Sequence, residues 1–154
     1  MSVVAWDGSV LATDRMANDG SLKWESSKAW YVVSKQTGKV CIVSGVGMLG
    51  TILEMRDWFR DSGNPAQLHL KSQTAELIVV DDEGLAVYSY NGTSVRLSAP
   101  MAFGEGREYA LGAMAMGADA HQAVQVANEY SLHCGKGVEC FTIQEGKAKT
   151  LMEA

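Results

Sequence analysis

Long apolar runs are missing from this 154-residue chain. None approaches the roughly 18 consecutive apolar residues that a membrane-spanning helix needs, so no membrane partner is expected. Cations are few and unclustered: 13 Lys and Arg stand against 18 Asp and Glu, a net charge of −5. That balance argues against broad nucleic-acid binding, because phosphates call for clustered Lys and Arg. The first residues lack a basic stretch followed by an apolar core, so no signal peptide is read and a cytoplasmic location is expected. Only two prolines occur, and disorder is expected nowhere but at the ends. The three cysteines, Cys41, Cys134 and Cys140, are an odd number, which suits a reducing compartment better than a disulfide framework. His133, Cys134 and Cys140 lack Cys-x-x-Cys or His-x-x-x-His spacing, so neither a metal nor another cofactor is expected.

What is present is the composition of an ordinary globule, 47% hydrophobic and 20% charged. The length is that of one domain, 1–154, able to bury about 70% of its unfolded surface. Apolar residues at 3–6 and 9–13 flank Asp7-Gly8 and predict a tight hairpin. Residues 15–27 read as polar and irregular. Ala29–Ser34 and Val40–Gly45 predict a second strand pair. From Met48 to about Asp61, Leu49, Ile52, Leu53 and Phe59 recur at helical spacing. Residues 76–81 and 85–90 predict another hairpin around Asp82-Glu83-Gly84, followed by an extended segment near 95–103. A helix carrying Tyr109, Leu111 and Met114 breaks at Gly117. Asp119 then opens a second helix as its N-cap, with Gln122 in the reciprocal position of a capping box and Ala120, Ala123, Val124, Ala127 and Tyr130 as the buried stripe. Strands near 138–143 and 148–152 close an α+β order.

Several residues can carry chemistry. Cleavage of the bond before Ser2 would leave a hydroxyl and a free amine on one residue, a nucleophile beside a base. Asp14 by itself reads as a turn or salt-bridge residue, and Lys28 by itself as a solvated lysine. Gly45-Val-Gly47 before a helix lacks the Gly-Lys-Ser/Thr of a phosphate loop.

Their order says more. Ser2-Val-Val-Ala-Trp-Asp-Gly, then Val-Leu-Ala-Thr-Asp14-Arg, Ser-Lys28, Ile-Val-Ser-Gly45-Val-Gly, Phe-Gly104-Glu-Gly106 and Tyr-Ala-Leu-Gly-Ala-Met-Ala-Met-Gly-Ala together resemble the β-type proteasome subunits. They are similar above all to the short proteasome-like proteins of bacteriophages and their host bacteria. The resemblance spans residues 2–143. It implies a four-layer αββα sandwich, with two antiparallel sheets between helical layers. It also implies an N-terminal nucleophile (Ntn) hydrolase that cuts peptide or amide bonds through an acyl-enzyme, and a homo-oligomer, with a ring as one form. In that reading Ser2 is the nucleophile, Asp14 and Lys28 are the buried acid and base, and the Gly45 N–H donates to the oxyanion. Gly47 leaves room for a bulky substrate side chain. Glu105 stands where the family has a serine between two glycines. Ser131-Leu-His-Cys134-Gly135 replaces an Asp-x-x-Ser/Cys-Gly pattern, so Ser131 takes the aspartate's place and Cys134 the place before the glycine. Glu105 is the candidate substitute for the missing carboxylate. The alternative is a catalytically inactive homologue acting in assembly, structure or binding.

Overall fold

Each residue of Val3-Val4-Ala5-Trp6 is at most 7% exposed, as a wholly apolar run requires: such a strand is stable only with both faces covered. The computed structural model describes residues 2–18, 22–70, 75–144 and 147–153, the side chains of 144 and 147–153 excepted. Strand β1 (Val4–Trp6) and β2 (Val10–Asp14) form the opening hairpin, with Val4 opposite Thr13 and Trp6 opposite Leu11. Its turn is centred on Gly8-Ser9, one residue later than expected, and Gly8 takes a φ of +103° that favours glycine. Asp7 Oδ1 accepts the N–H groups of Ser9 and Val10 at 2.8 Å each, which fixes the turn from within.

The stretch 15–27, expected to be irregular, contains β3 (Met16–Asn18) and β4 (Lys23–Glu25), which pair as a sheet of their own. Then come β5 (Ala29–Val33), β6 (Val40–Gly47), α1 (Leu49–Asp61), a 3-10 turn at Pro65–Gln67, β7 (Ala75–Asp81) and β8 (Gly84–Tyr88). The extended segment near 95–103 is two strands in different sheets, β9 (Ser94–Leu97) and β10 (Met101–Phe103), so the chain changes sheet across Pro100. Helices α2 (Arg107–Ala115) and α3 (Ala120–Tyr130) follow, then β11 (Val138–Gln144) and β12 (Lys147–Glu153).

One five-stranded sheet runs β10-β1-β2-β11-β12 and another β5-β6-β7-β8-β9, and every pairing is antiparallel. The apolar clusters follow the strand alternation. Ala5 and Ala12 point to the helix pair, packing with Ala120, Ala123, Val124 and Ala127. Their neighbours Val4 and Leu11 point the other way, meeting Ile42, Ile78, Val80 and Phe141. Val43, Leu77 and Val79 lie against Ile52 and Met55 of α1. Small residues dominate the first cluster, which lets α3 lie close to β1 and β2.

The four-layer αββα sandwich expected from the resemblance is corrected by this arrangement. The described residues form a mostly β molecule with three helices and three antiparallel sheets. The second large sheet carries the 13-residue α1. A helix roughly 10 Å across does not make a layer over five strands spread across about 19 Å. Among the described residues, no helix is long and apolar enough to cross a membrane.

Candidate active site

Lys28 precedes β5 and is 1% exposed, so its solvated reading is corrected. Burying an ammonium is costly unless it is paired and hydrogen-bonded, and both conditions are met. Its Nζ lies 2.6 Å from Asp14 Oδ1 and donates to Ser2 Oγ at 3.1 Å. Asp14, at the end of β2, is itself fully buried. Its Oδ1 also accepts from Val3 N (3.3 Å), while Oδ2 accepts from Met16 N (3.4 Å) and Gly135 N (3.2 Å). Four donors on one carboxylate explain how its charge is held without water. Ser44 Oγ donates to the Lys28 carbonyl at 2.6 Å and anchors the lysine from β6.

Ser2 is fixed on both sides. Its carbonyl accepts from Gly106 N at 2.7 Å, and its hydroxyl donates to the Met16 carbonyl at 3.5 Å, leaving an oxygen lone pair toward Lys28. A Cβ on Gly106 would stand 2.6 Å from Cys134 Sγ and 3.1 Å from Val3 Cβ, so glycine is what allows the start of α2 to come this near. Burial pulls the Lys28 pKa below its ordinary value; the charge and hydrogen bond of Asp14 oppose that pull without cancelling it. A lysine so placed gives up its proton at a lower pH than one in water.

Ser2 is 6% exposed, yet it borders an open cleft of about 390 Å³. Met16, Ala17, Asn18, Trp24 and Ser26 line the cleft from the β3–β4 side, and Gly47, Met48 and Leu49 from the start of α1. Glu105 and His133 complete it.

The sequence-derived site residues therefore divide. Ser2, Asp14 and Lys28 form one hydrogen-bonded chain. Gly45 lies one position past the Ala29–Ser44 pair that ends the β5–β6 ladder, beside Lys28. A Cβ there would meet Ile52 Cγ2 of α1 at 2.7 Å and the Glu76 carbonyl of β7 at 2.8 Å, so packing by itself demands glycine. Gly47 lines the cleft with a φ of +111°. Glu105 reaches the cleft too, and its carboxylate lies 2.9 Å from His133 Nδ1, both side chains being more than half exposed. Ser131 sits at the C-cap of α3, where its hydroxyl accepts from His133 N at 3.3 Å. Cys134 packs in the apolar cluster beneath the helix pair. Burial pushes its thiol up to about 11, which leaves little thiolate for nucleophilic work. Sequence reasoning missed Trp24 and Met48 and weighed His133 only as a metal ligand; of the three, Met48 carried a signal for the cleft, an apolar residue where a helix N-cap is due. Among the described residues, no three His, Cys, Asp or Glu side chains are grouped to hold a metal.

This fold has solved relatives. A Thiobacillus denitrificans BPH structure in complex with epoxomicin has a TM-score of 0.69 at 20% identity, over 94% of this chain and 98% of that one. A second structure of Thiobacillus denitrificans BPH has a TM-score of 0.70 at 19% identity, with the same coverage. At that identity the likeness is one of fold. No protein-family model and no curated protein matches the sequence.

Proposed function

We propose that this chain is a proteasome-β-like N-terminal nucleophile hydrolase that cuts peptide or amide bonds with Ser2. The observation that carries the reading is the buried chain Ser2–Lys28–Asp14, with links of 3.1 and 2.6 Å at the edge of an open cleft. Once the bond before Ser2 is cut, two bases stand near its hydroxyl: the freed α-amine and the neutral form of Lys28, which burial favours. Ser2 Oγ attacks the substrate carbonyl as its proton passes to the base. The Gly45 N–H donates to the oxyanion, and the base returns the proton to the departing amine. Water then attacks the resulting ester, giving the acid product and restoring the hydroxyl. Asp14 keeps Lys28 in place throughout and is a positioning residue. The fold shared with a protein solved with epoxomicin bound adds support at the level of shape.

Association of copies belongs to the same proposal, and the exposed Tyr109, Leu111, Met116, Tyr130 and Leu132 of the α2–α3 region supply apolar surface for it. A second reading, a non-catalytic binding or assembly protein, is favoured by one observation: the Glu105 carboxylate is already engaged by His133. Turnover of short peptide amides separates the two. The hydrolase reading expects Ser2→Ala to abolish hydrolysis and Lys28→Met to lower kcat about 100-fold or more. Hydrolysis that survives Ser2→Ala, or none by the chain beginning at Ser2, rejects it.

A further inference from the structure

We infer that His133, oriented by Glu105, is a catalytic residue of the second half-reaction: it takes the proton of the water that attacks the acyl group on Ser2. The inference rests on the hydrolase reading and adds to it a base on the solvent side. Lys28 is 1% exposed and meets the Ser2 hydroxyl within the protein. Water comes to an ester on Ser2 from the open cleft, and the acid–base pair on that side is Glu105–His133. Both side chains are more than half exposed.

The pair is tied to the Ser2–Lys28–Asp14 chain through both of its members. Gly106 N–H donates to the Ser2 carbonyl at 2.7 Å, which sets Glu105, the residue before it, beside the nucleophile. Gly135 N–H, two residues after His133, donates to Asp14 Oδ2 at 3.2 Å. The two segments also touch, since a Cβ on Gly106 would stand 2.6 Å from Cys134 Sγ. Ser131 Oγ accepts from His133 N at 3.3 Å and shapes the turn that presents the imidazole. The charge of Glu105 is felt at Lys28: burial lowers the pKa of that lysine, and Glu105 is among the charges that raise it, Asp14 being the first of them.

A carboxylate only accepts hydrogen bonds, so at 2.9 Å from Glu105 Oε2 the proton of neutral His133 belongs on Nδ1. Nε2 keeps its lone pair and is the base. The water oxygen bonds to the ester carbon as Nε2 takes one of its protons. The bond from that carbon to Ser2 Oγ then breaks, the acid product leaves, and Nε2 returns its proton to Ser2 Oγ. Glu105 holds the ring and balances the imidazolium that exists between these steps, so it is a positioning residue. An exposed pair adds little to stability, so variants that remove it fold.

Decay of the acyl-enzyme tests this directly. The chain beginning at Ser2 is treated with the nitrophenyl ester of an N-acetyl dipeptide, freed of excess ester, and followed by intact mass. Adduct should form on the unsubstituted chain and on His133→Ala but not on Ser2→Ala, and on His133→Ala it should decay about 100-fold more slowly. Free imidazole, added once the ester is gone, should speed that decay several-fold, which a merely structural role of His133 would not allow. Glu105→Gln, which keeps the imidazole of His133, should also slow decay but gain nothing from added imidazole. Equal decay with and without His133, or slow decay that imidazole leaves unchanged, overturns the inference and leaves the hydrolase reading standing. An unsubstituted chain that takes up no acyl group sinks the hydrolase reading, and this inference falls with it.

Discussion

Lys28 owes its place to three oxygens: the Asp14 carboxylate at 2.6 Å, the Ser2 hydroxyl at 3.1 Å, and the Ser44 hydroxyl that holds its carbonyl at 2.6 Å. Taking away one partner of a buried ion pair costs about 3–5 kcal/mol, because the other charge is left without compensation. Lys28→Met and Asp14→Asn should each lower unfolding stability in that range, as read by urea denaturation. Lys28→Met belongs at the lower end, since Asp14 keeps three backbone donors. The double variant should cost less than the two single changes added together, since both remove the same interaction. The pH dependence has a definite sign. In the folded chain the Lys28 pKa lies below 10.5, so between that lowered value and 10.5 the unfolded chain binds more protons and stability rises with pH. That gain is lost as pH falls through the lowered value. Wild type compared with Lys28→Met across alkaline pH should show it, and kcat should climb through the same value if neutral Lys28 takes the proton of Ser2. A flat difference between the two stability curves would contradict the shift.

Elements were legible wherever local chemistry set them. The capping box of Asp119 and Gln122 is present as read, and α3 begins at Ala120. Three residues each, with Met16 alone buried, β3 and β4 are too short to show a two-residue apolar period, so nothing in 15–27 announced a sheet. Tyr130 falls on the helical spacing of the buried stripe but is 62% exposed and stacks on Tyr109, because the chain turns away at Ser131 and leaves the last turn uncovered. Asp7 illustrates what spacing does not reveal. One of its oxygens closes the first hairpin, and the other accepts the Ala120 N–H at 2.8 Å, tying that hairpin to the start of α3. Asp7→Ala should therefore cost more than an ordinary turn residue, about 2 kcal/mol from the lost cap and the lost turn bonds. The melting temperature should drop by roughly 4–8 °C. A change of under 1 °C would mean that the tie carries no weight.

For the molecule as a whole, chain order was the legible part and layering was not. Ser2, Asp14, Lys28 and Gly45 could be read in sequence, but that the first three converge depends on β2 and β5 lying in different sheets packed through Leu11, Ile42 and Ile78. Glu105 was read without His133, because that pair joins the entry to α2 with the loop after α3. Ile42 is fully buried between the two large sheets, so Ile42→Ala should cost about 2–5 kcal/mol and loosen the ground on which the site stands. Guanidinium unfolding measures that cost, and a loss under 1 kcal/mol would argue against tight sheet-on-sheet packing. The central claim, that Ser2 is a nucleophile served by Lys28, is tested most directly by intact mass. The chain beginning at Ser2 is incubated with a short peptide carrying a hydroxyl-reactive electrophile beside a Ser2→Ala chain treated alike. The account predicts one covalent adduct per chain on the first and none on the second; no adduct on either, or equal labelling of both, would contradict it.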